Sequence, residues 1–191
     1  MDFYTIANVK SAKEFEKFID EAVFDKDKRE RFYDALIASG ADLSEDLFLD
    51  YFQTVNAERK TNKQDYTPTA LADLMARAVK QKETKSVYDA AAGSGCLLVA
   101  EWAKLKKEGK EKGVTFYAKE IGDNVISYLI HNLAIRNTHS FVIHGDSITH
   151  EVFRAFELVP TQRYSNIFET TDIDEIKTFR QERTVRDGKE Y

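Results

Sequence analysis

The sequence predicts an α/β protein, in which a helical N-terminal region precedes a short, truncated Rossmann-like sheet. Helical periodicity dominates up to about residue 60, whereas beyond residue 85 short apolar runs alternate with helical segments. Such alternation is typical of a parallel sheet covered by helices. We therefore divide the chain into a helical region (1–60), an α/β core (61–159) and a charged C-terminal segment (160–191).

Three helices are predicted in the helical region. The first runs from 11 to 23 and begins with the capping box Ser11/Glu14. The second runs from 27 to 39 and is terminated by Gly40. The third runs from 44 to 57 with Ser44 as its N-cap. The polar stretch "ERKTNKQD" then links to a fourth helix, "PTALADLMARAVKQ", for which Thr67 is the predicted N-cap and Pro68 the first residue.

The α/β core is predicted from five segments. The strands are "SVYD", "VTFYAKE" and "SFVIHGD", and the helices between them are "CLLVAEWAKLKK" and "NVISYLIHNLAIRN". Each strand ends in a carboxylate, namely Asp89, Glu120 and Asp146. Because the carboxyl ends of parallel strands meet at one edge of the sheet, the three side chains are expected to converge on one crevice. An acid after a strand can instead cap the next helix, but three such acids together favour a binding site.

The turn after the first strand, "AAAGSG", contains no residue larger than serine. Small residues let a ligand approach the backbone, and Gly93 and Gly95 tolerate backbone angles that other residues avoid. A glycine-rich turn of this kind can equally serve packing alone. Glu120 follows Asp89 by about thirty residues, a spacing at which nucleotide folds place the carboxylate that binds ribose hydroxyls.

Composition limits the classes of function. A chain of 191 residues with 42% hydrophobic residues can bury a core, and its net charge of -5 argues against binding to DNA through bulk positive charge. Cys96 is the only cysteine, which excludes an internal disulfide and a metal site with four thiolate ligands. The four histidines are expected at surface or edge positions, with no metal bound. Without a signal peptide or a long apolar run, the chain is expected to be cytoplasmic and not membrane-bound.

The ligand chemistry leads to a family resemblance. Three carboxylates and no GxGxxG motif disfavour a pyrophosphate and suit a nucleoside that carries a cation, such as S-adenosyl-L-methionine (SAM). The segments "DYTPTALADLMARAV", "VYDAAAGSGCLLV", "AKEIGDNVISYLIHNLAIRN" and "HGDSI" resemble, in this order, the SAM-binding half of N6-adenine DNA methyltransferases. The likeness is greatest to the modification (M) subunits of type I restriction-modification systems, and it covers residues 64–149.

The resemblance implies a set of cofactor-binding residues. They are Tyr66, Thr67, Pro68, Asp89, Gly93, Gly95, Glu120, Ile121 and Asp146. It assigns the first three to the methionine end of SAM and the turn from Asp89 to Gly95 to the methionine moiety. Glu120 takes the ribose hydroxyls, Ile121 packs on the adenine, and Asp146 binds the adenine amino group. Ala90 and Ala92 replace the family's proline and cysteine, which is a mild departure.

The catalytic motif of the family is missing. Its members carry an Asn or Asp, two prolines and an aromatic residue after the fourth strand, whereas this chain has only Pro68 and Pro160. Asn166 and Phe168 in "YSNIFETTD" are a weak substitute. We therefore assign no catalytic residue and expect a SAM-binding protein that is inactive alone. The alternatives are a split adenine methyltransferase completed by a partner chain, or a non-enzymatic interaction module or decoy acting on a restriction or phage system.

Several further expectations follow from the sequence. The short sheet is expected to be covered by a second copy or a partner protein, and any contact with DNA to be weak or to depend on that partner. The lysine-rich run 104–113 is expected to be a solvated helix end and loop. Cys96 and the aromatic residues Phe48, Tyr51 and Phe52 are expected in the core, and a helix is predicted near 174–186.

Overall fold

The computed structural model describes residues 1–55, 67–78 and 84–170. Seven helices and five strands lie within these ranges. The helices are α1 (Phe3–Ala7), α2 (Ala12–Phe24), α3 (Lys26–Ala38), α4 (Leu49–Val55), α5 (Thr69–Ala78), α6 (Cys96–Lys107) and α7 (Ile126–Ile135). The strands are β1 (Ser86–Asp89), β2 (Thr115–Glu120), β3 (His139–Gly145), β4 (Val152–Val159) and β5 (Asn166–Thr170). None of the described helices is long and apolar enough to cross a membrane.

The first two predicted helices, now α2 and α3, are confirmed to within one residue at each end. The Ser11 hydroxyl accepts a hydrogen bond from Glu14 N at 3.3 Å, and the Glu14 carboxylate accepts one from Lys10 N at 2.8 Å. α3 ends where Gly40 adopts a φ of 83°, a conformation that glycine reaches without strain.

The third predicted helix begins later than expected. α4 starts at Leu49, whereas the sequence predicts a start at Ser44. The reason is local competition, because the Ser44 N–H and hydroxyl both donate to Asp42 Oδ1, at 2.8 and 2.7 Å. Asp46 accepts from Phe48 N at 3.0 Å and thereby holds a second turn. The predicted end at residue 57, like the helix near 174–186, lies outside the described residues.

The sheet has the strand order β1-β2-β3-β4-β5. The first three strands are parallel, as predicted, and β4 and β5 form an antiparallel hairpin that the sequence did not predict. Only six residues connect β3 to β4 and six connect β4 to β5. Such connections are too short for a parallel crossover, so the two strands must run antiparallel.

One hydrophobic cluster joins the helical region to the α/β core. It includes Phe15 and Phe52 from the helical region and Phe116, Leu129 and Phe156 from the sheet and α7. Every residue of α7 except Ser127 is buried. The helix is therefore enclosed all round, with the sheet and α2 among the elements that contact it.

His144, on the interior strand β3, and His131, on α7, are both buried, which corrects the expectation of surface or edge histidines. His131 belongs to the enclosed helix. Its side chain is fully buried because the helical region covers the outer side of α7. Its Nδ1 lies 2.7 Å from the Tyr33 hydroxyl and its Nε2 lies 2.9 Å from the Ile19 carbonyl oxygen. Burial lowers the pKa of His131 to about 4, opposed by the hydrogen bond to Ile19, so this histidine is neutral at pH 7.

This burial predicts a pH dependence of stability. In the unfolded chain His131 takes up a proton near the ordinary histidine pKa of 6.5, whereas in the folded protein its pKa is about 4, so stability falls as pH drops through this window. Relative to His131→Gln, the wild type should lose about 2 kcal/mol more of unfolding free energy between pH 7 and pH 5. Urea unfolding at the two pH values measures the difference.

The matched control is His150→Asn. His150 is exposed and has a φ of 68°, which asparagine tolerates. This variant should keep the pH dependence of the wild type, and an unchanged slope in His131→Gln would contradict the assignment.

Candidate functional site

Three strand ends converge on one edge of the sheet. Asp89 pairs in register with Ala118, two residues before Glu120, and Glu120 pairs with His144, two residues before Asp146. The loop after β3 also reaches across β2, since the Ser147 hydroxyl donates a hydrogen bond to the Ala90 carbonyl oxygen. The turn after β1 and the loops after β2 and β3 therefore lie side by side at the edge where the crevice is expected.

The turn after β1 is held by its own backbone and by β2. Asp89 Oδ1 accepts from Ala91 N at 3.1 Å, and Gly95 N donates to Ala92 O at 2.8 Å. Ala92 N donates to Lys119 O at 2.9 Å, which fixes the turn to the second strand. Gly93 and Gly95 have φ values of 55° and 100°, so both positions favour glycine.

The two glycines differ in what surrounds them. A Cβ on Gly95 would lie 2.9 Å from Leu129 Cδ1 of α7, so this glycine also serves close packing between the turn and the helix. Gly93 instead directs its N–H to the Glu120 carboxylate. The packing explanation of the glycine-rich turn therefore applies to Gly95, whereas Gly93 links the turn to Glu120.

Glu120 is the central side chain of the crevice. Its Oε2 accepts from Gly93 N at 2.7 Å and its Oε1 accepts from Gly122 N at 2.7 Å. The carboxylate thereby bridges the loops after β1 and β2 in one fixed orientation. Each carboxylate oxygen has a second lone pair, so the pair of oxygens can still accept from two adjacent hydroxyl groups.

Two of the carboxyl groups at this edge, those of Asp89 and Asp146, have pKa values shifted in opposite directions. Burial raises the pKa of Asp89, the Ala91 N–H opposes this shift, and the nearby negative charge of Glu120 adds to it. The pKa of Asp146 is lowered by hydrogen bonds from Ile148 N and Thr149 N, at 2.7 and 3.2 Å. Asp146 therefore stabilises its own turn, but it does not cap a helix, the alternative considered for it, because the next element is the strand β4.

Two apolar side chains follow the acids. Ile121, directly after Glu120, is 56% exposed, and Ile148, two residues after Asp146, is 88% exposed. Exposed isoleucines beside hydrogen-bonding groups can cover the faces of a flat ring. Ile148 and Ser147 are not among the residues predicted from the sequence for this site, although both stand in the segment "HGDSI".

The N-terminal end of α5 is only partly described. Tyr66 lies outside the described residues, Thr67 is half-buried, and Pro68 is exposed. The first helical hydrogen bond joins Ala72 N to Pro68 O at 3.0 Å, so α5 begins at Thr69 and not, as predicted, at Pro68. Pro68 therefore occupies the cap position that was predicted for Thr67. α5 packs on α6 through Ala72 and Ala76, which lie in one cluster with Cys96 and Ala100.

Asn166 and Phe168 do not belong to the crevice. Both lie on β5, and β5 forms the edge of the sheet opposite β1. Four strand spacings separate the two edges, which corresponds to roughly 19 Å. The proposed weak substitute for the catalytic motif is therefore far from the turn that follows β1.

The remaining candidates have structural roles. Cys96 is buried, and burial together with the negative charges of Asp46 and Asp73 raises its pKa to about 12. Phe48 and Phe52 are fully buried in the core, and Tyr51 packs against it. Lys106 and Lys110 pair with Glu111 and Glu108, at 2.9 and 2.7 Å, which agrees with a solvated run. Across residues 1–55, 67–78 and 84–170, no group of three or more acidic, histidine or cysteine side chains could hold a metal.

Comparisons with known proteins give one match. The model of the family described as N-6 DNA methylase matches residues 16–190. Neither the curated proteins nor the solved structures contain a significant match.

The surroundings of Gly95 predict that adding a single methyl group, as in Gly95→Ala, lowers the free energy of unfolding considerably. Gly95→Ala combines a φ of 100° with a contact of 2.9 Å to Leu129, whereas a Cβ on Gly113, with a φ of 80°, meets nothing within 4 Å. Gly113→Ala should cost about 1–2 kcal/mol of unfolding free energy, because only the backbone is strained. Gly95→Ala should cost at least about 1 kcal/mol more, because the turn or α7 must also shift. Urea unfolding of the two variants measures this difference, and equal costs would contradict the packing role of Gly95.

Proposed function

The chain belongs to the N-6 DNA methylase family, and on this premise we propose that it binds SAM in the crevice formed by the ends of β1, β2 and β3. The observation that carries the proposal is the bridging geometry of Glu120. Two backbone N–H groups from different loops orient its carboxylate, at 2.7 Å each. A carboxylate held in this way is preorganised to accept the two hydroxyl groups of a ribose.

The charge of the crevice supports a cationic ligand. Asp89 and Glu120 are close enough for the charge of Glu120 to raise the pKa of Asp89. Two neighbouring carboxylates favour a positive charge between or beside them, and the sulfonium and ammonium groups of SAM supply such charges. The exposed side chains of Ile121 and Ile148 would contact the adenine ring, and Asp146 would accept from its amino group.

We assign the methionine moiety to the turn that follows β1. Gly93 leaves the backbone beside Glu120 without a side chain, so a ligand can approach closely, whereas Gly95 lets the turn pack closely on Leu129. The segment before α5, with Tyr66, Thr67 and Pro68, would lie over the methionine carboxylate. This last assignment depends on the family resemblance alone.

SAM binding is directly testable with Glu120→Ala. Loss of the carboxylate removes the acceptor for the ribose and leaves Gly93 N and Gly122 N without their partner, so affinity should fall at least about tenfold. Isothermal titration calorimetry with SAM and with S-adenosylhomocysteine measures the dissociation constants. Glu157→Ala is the control, since Glu157 lies on β4 away from the crevice and should leave affinity unchanged. The absence of binding to the wild type at millimolar SAM would refute the proposal.

We further propose that the chain alone does not methylate adenine. The lone pair of adenine N6 is delocalised into the ring, so transfer requires acceptors that draw on the amino protons and hold the nitrogen against the sulfonium. A base must also leave the duplex and stack in a pocket, which costs a few kcal/mol. The family meets these needs with its Asn/Asp-Pro-Pro-aromatic motif, and the prolines Pro68 and Pro160 of this chain do not form it.

A split enzyme is the second candidate, and the outer edge of β1 favours it. Among the described residues no strand pairs with that edge, because β1 pairs only with β2. A strand added there would end beside the turn Ala90–Gly95, where a catalytic acceptor would have to lie. The neighbouring α5 also exposes Leu71, Leu74 and Met75. A partner chain, or a second copy, that covers this side is therefore the arrangement we propose for an active form.

Methyl transfer distinguishes the two candidates. Labelled SAM is incubated with adenine-containing duplex and single-stranded DNA, with the chain alone and with any copurifying partner. We expect no transfer by the chain alone, because the acceptor groups for N6 are missing. Transfer that appears only with a partner identifies a split enzyme, and none in either case identifies a SAM-binding relative without activity. Turnover by the lone chain that Asp89→Ala abolishes would contradict the proposal.

A further inference from the structure

A buried carboxylate from the helical region contacts the turn of the crevice. Asp46 lies between Ser44 and Leu49, where the third helix was predicted, and its side chain is nine-tenths buried. Its Oδ2 accepts from the Ser94 hydroxyl at 2.5 Å, and its Oδ1 accepts from Asn132 Nδ2 at 2.6 Å. Ser94 is the fifth residue of the turn Ala90–Gly95, and it is 1% exposed.

A second hydrogen bond holds the turn Ala90–Gly95, at the carbonyl oxygen of Ser94. Asn132 Nδ2, on α7, also donates to the Ser94 carbonyl oxygen at 2.9 Å. Asp46 thus fixes both the hydroxyl of Ser94 and the amide that binds its carbonyl group. Gly93, the preceding residue, has its N–H on Glu120 at 2.7 Å, so a shift of Ser94 would change the N–H direction that orients Glu120.

The segment that carries Asp46 is itself anchored to α7. Arg136 donates through Nε to Leu43 O at 2.8 Å and through Nη2 to Glu45 O. Leu47 N donates to Asn132 Oδ1 at 3.3 Å. Residues 43–47 are therefore fixed on both sides of Asp46, which places its carboxylate under the turn.

We propose that Asp46 is a positioning residue for the SAM site: through Ser94 it holds the turn Ala90–Gly95 in its binding conformation, so that docking of the helical region on α7 controls cofactor affinity. The part that concerns affinity rests on the proposed SAM binding. The part that concerns the conformation of the turn does not rest on SAM binding, since it applies to the protein without ligand. Displacement of residues 43–47 by a partner would weaken SAM binding without contact to the crevice.

The test compares three variants of the 191-residue chain. Asp46→Asn keeps the shape but changes the acceptor of the Ser94 hydroxyl, and Ser94→Ala removes the hydroxyl from the turn. Tyr33→Phe is the control, because it removes another buried link between the helical region and α7, the contact of 2.7 Å to His131, without touching the turn. All three are expected to lose stability, so stability alone does not decide the question.

The first readout needs no ligand. Hydrogen exchange by NMR follows the amides of Ala92, Gly93 and Gly95, which are hydrogen-bonded at 2.9, 2.7 and 2.8 Å. Measured against the remaining backbone, their exchange should accelerate about five- to tenfold in Asp46→Asn and in Ser94→Ala. Tyr33→Phe should leave the ratio unchanged. An equal response of the turn in all three variants would overturn the proposal, and if Asp46→Asn does not fold, Ser94→Ala against Tyr33→Phe decides it.

The second readout is the affinity for SAM by calorimetry. Asp46→Asn and Ser94→Ala should each weaken binding about five- to tenfold. The double variant should bind no more weakly than the worse single variant, because both substitutions disrupt the same contact between Asp46 and Ser94. Additive losses would overturn the positioning role. If the wild type binds no SAM, the proposed function fails while the exchange measurement still decides the role of Asp46.

Discussion

The structure depends on the complete enclosure of α7. A helix whose residues are almost all buried must satisfy its polar side chains inside the protein, and here two of them, with that of the C-cap residue Arg136, find partners in the helical region. His131 meets Tyr33 and Ile19, Asn132 meets Asp46 and Leu47, and Arg136 meets Leu43 and Glu45. Removing the helical region would take these partners away and expose the apolar residues of α7 that it covers, so the sheet and the helical region are expected to fold as one unit.

The same helix transmits this constraint to the crevice. Leu129 of α7 leaves no space for a side chain on Gly95, and Asn132 binds the carbonyl oxygen of Ser94. The turn after β1 is thus fixed from below by α7 and Asp46, and from the side by Lys119 O and the Glu120 carboxylate. A turn built of alanine, glycine and serine requires such support, since its small side chains supply little packing of their own.

The sequence predicted the parts of the fold that depend on neighbouring residues. The bounds of β1 and α6 follow from an apolar run, a glycine turn and a second apolar run, and the N-cap Ser11 follows from its pairing with Glu14. It failed where two local structures compete, as at Ser44, whose hydroxyl binds Asp42 and does not cap a helix. It also missed the β4–β5 hairpin, because the short connections that enforce it become informative only once both strands are recognised.

The candidate site was predictable to a different extent. The convergence of Asp89, Glu120 and Asp146 follows from the parallel order of three strands and needed no tertiary information. Ser94 and Asp46, which form a hydrogen bond, are 48 residues apart in the chain, and no periodicity in the sequence connects them. The burial of His131 likewise depends on the helical region that covers α7, which a helix read by itself as amphipathic does not reveal.

The position of β4 and β5 in the sheet affects whether this chain can supply groups for methyl transfer. After Asp146 the chain extends the sheet beyond β3, with β4 and β5 on the side away from the turn that follows β1. The polar and aromatic residues at its far edge, Asn166 and Phe168, are therefore unable to meet a methyl group held above that turn. Binding of a nucleoside requires only the ends of β1, β2 and β3, whereas transfer to a base requires an additional acceptor on the side of β1. Within the described residues the ends of β1, β2 and β3 lie at one edge of the sheet, which supports the proposed cofactor site. Asn166 and Phe168 lie on the strand farthest from β1, which supports the proposal that the chain alone does not methylate adenine.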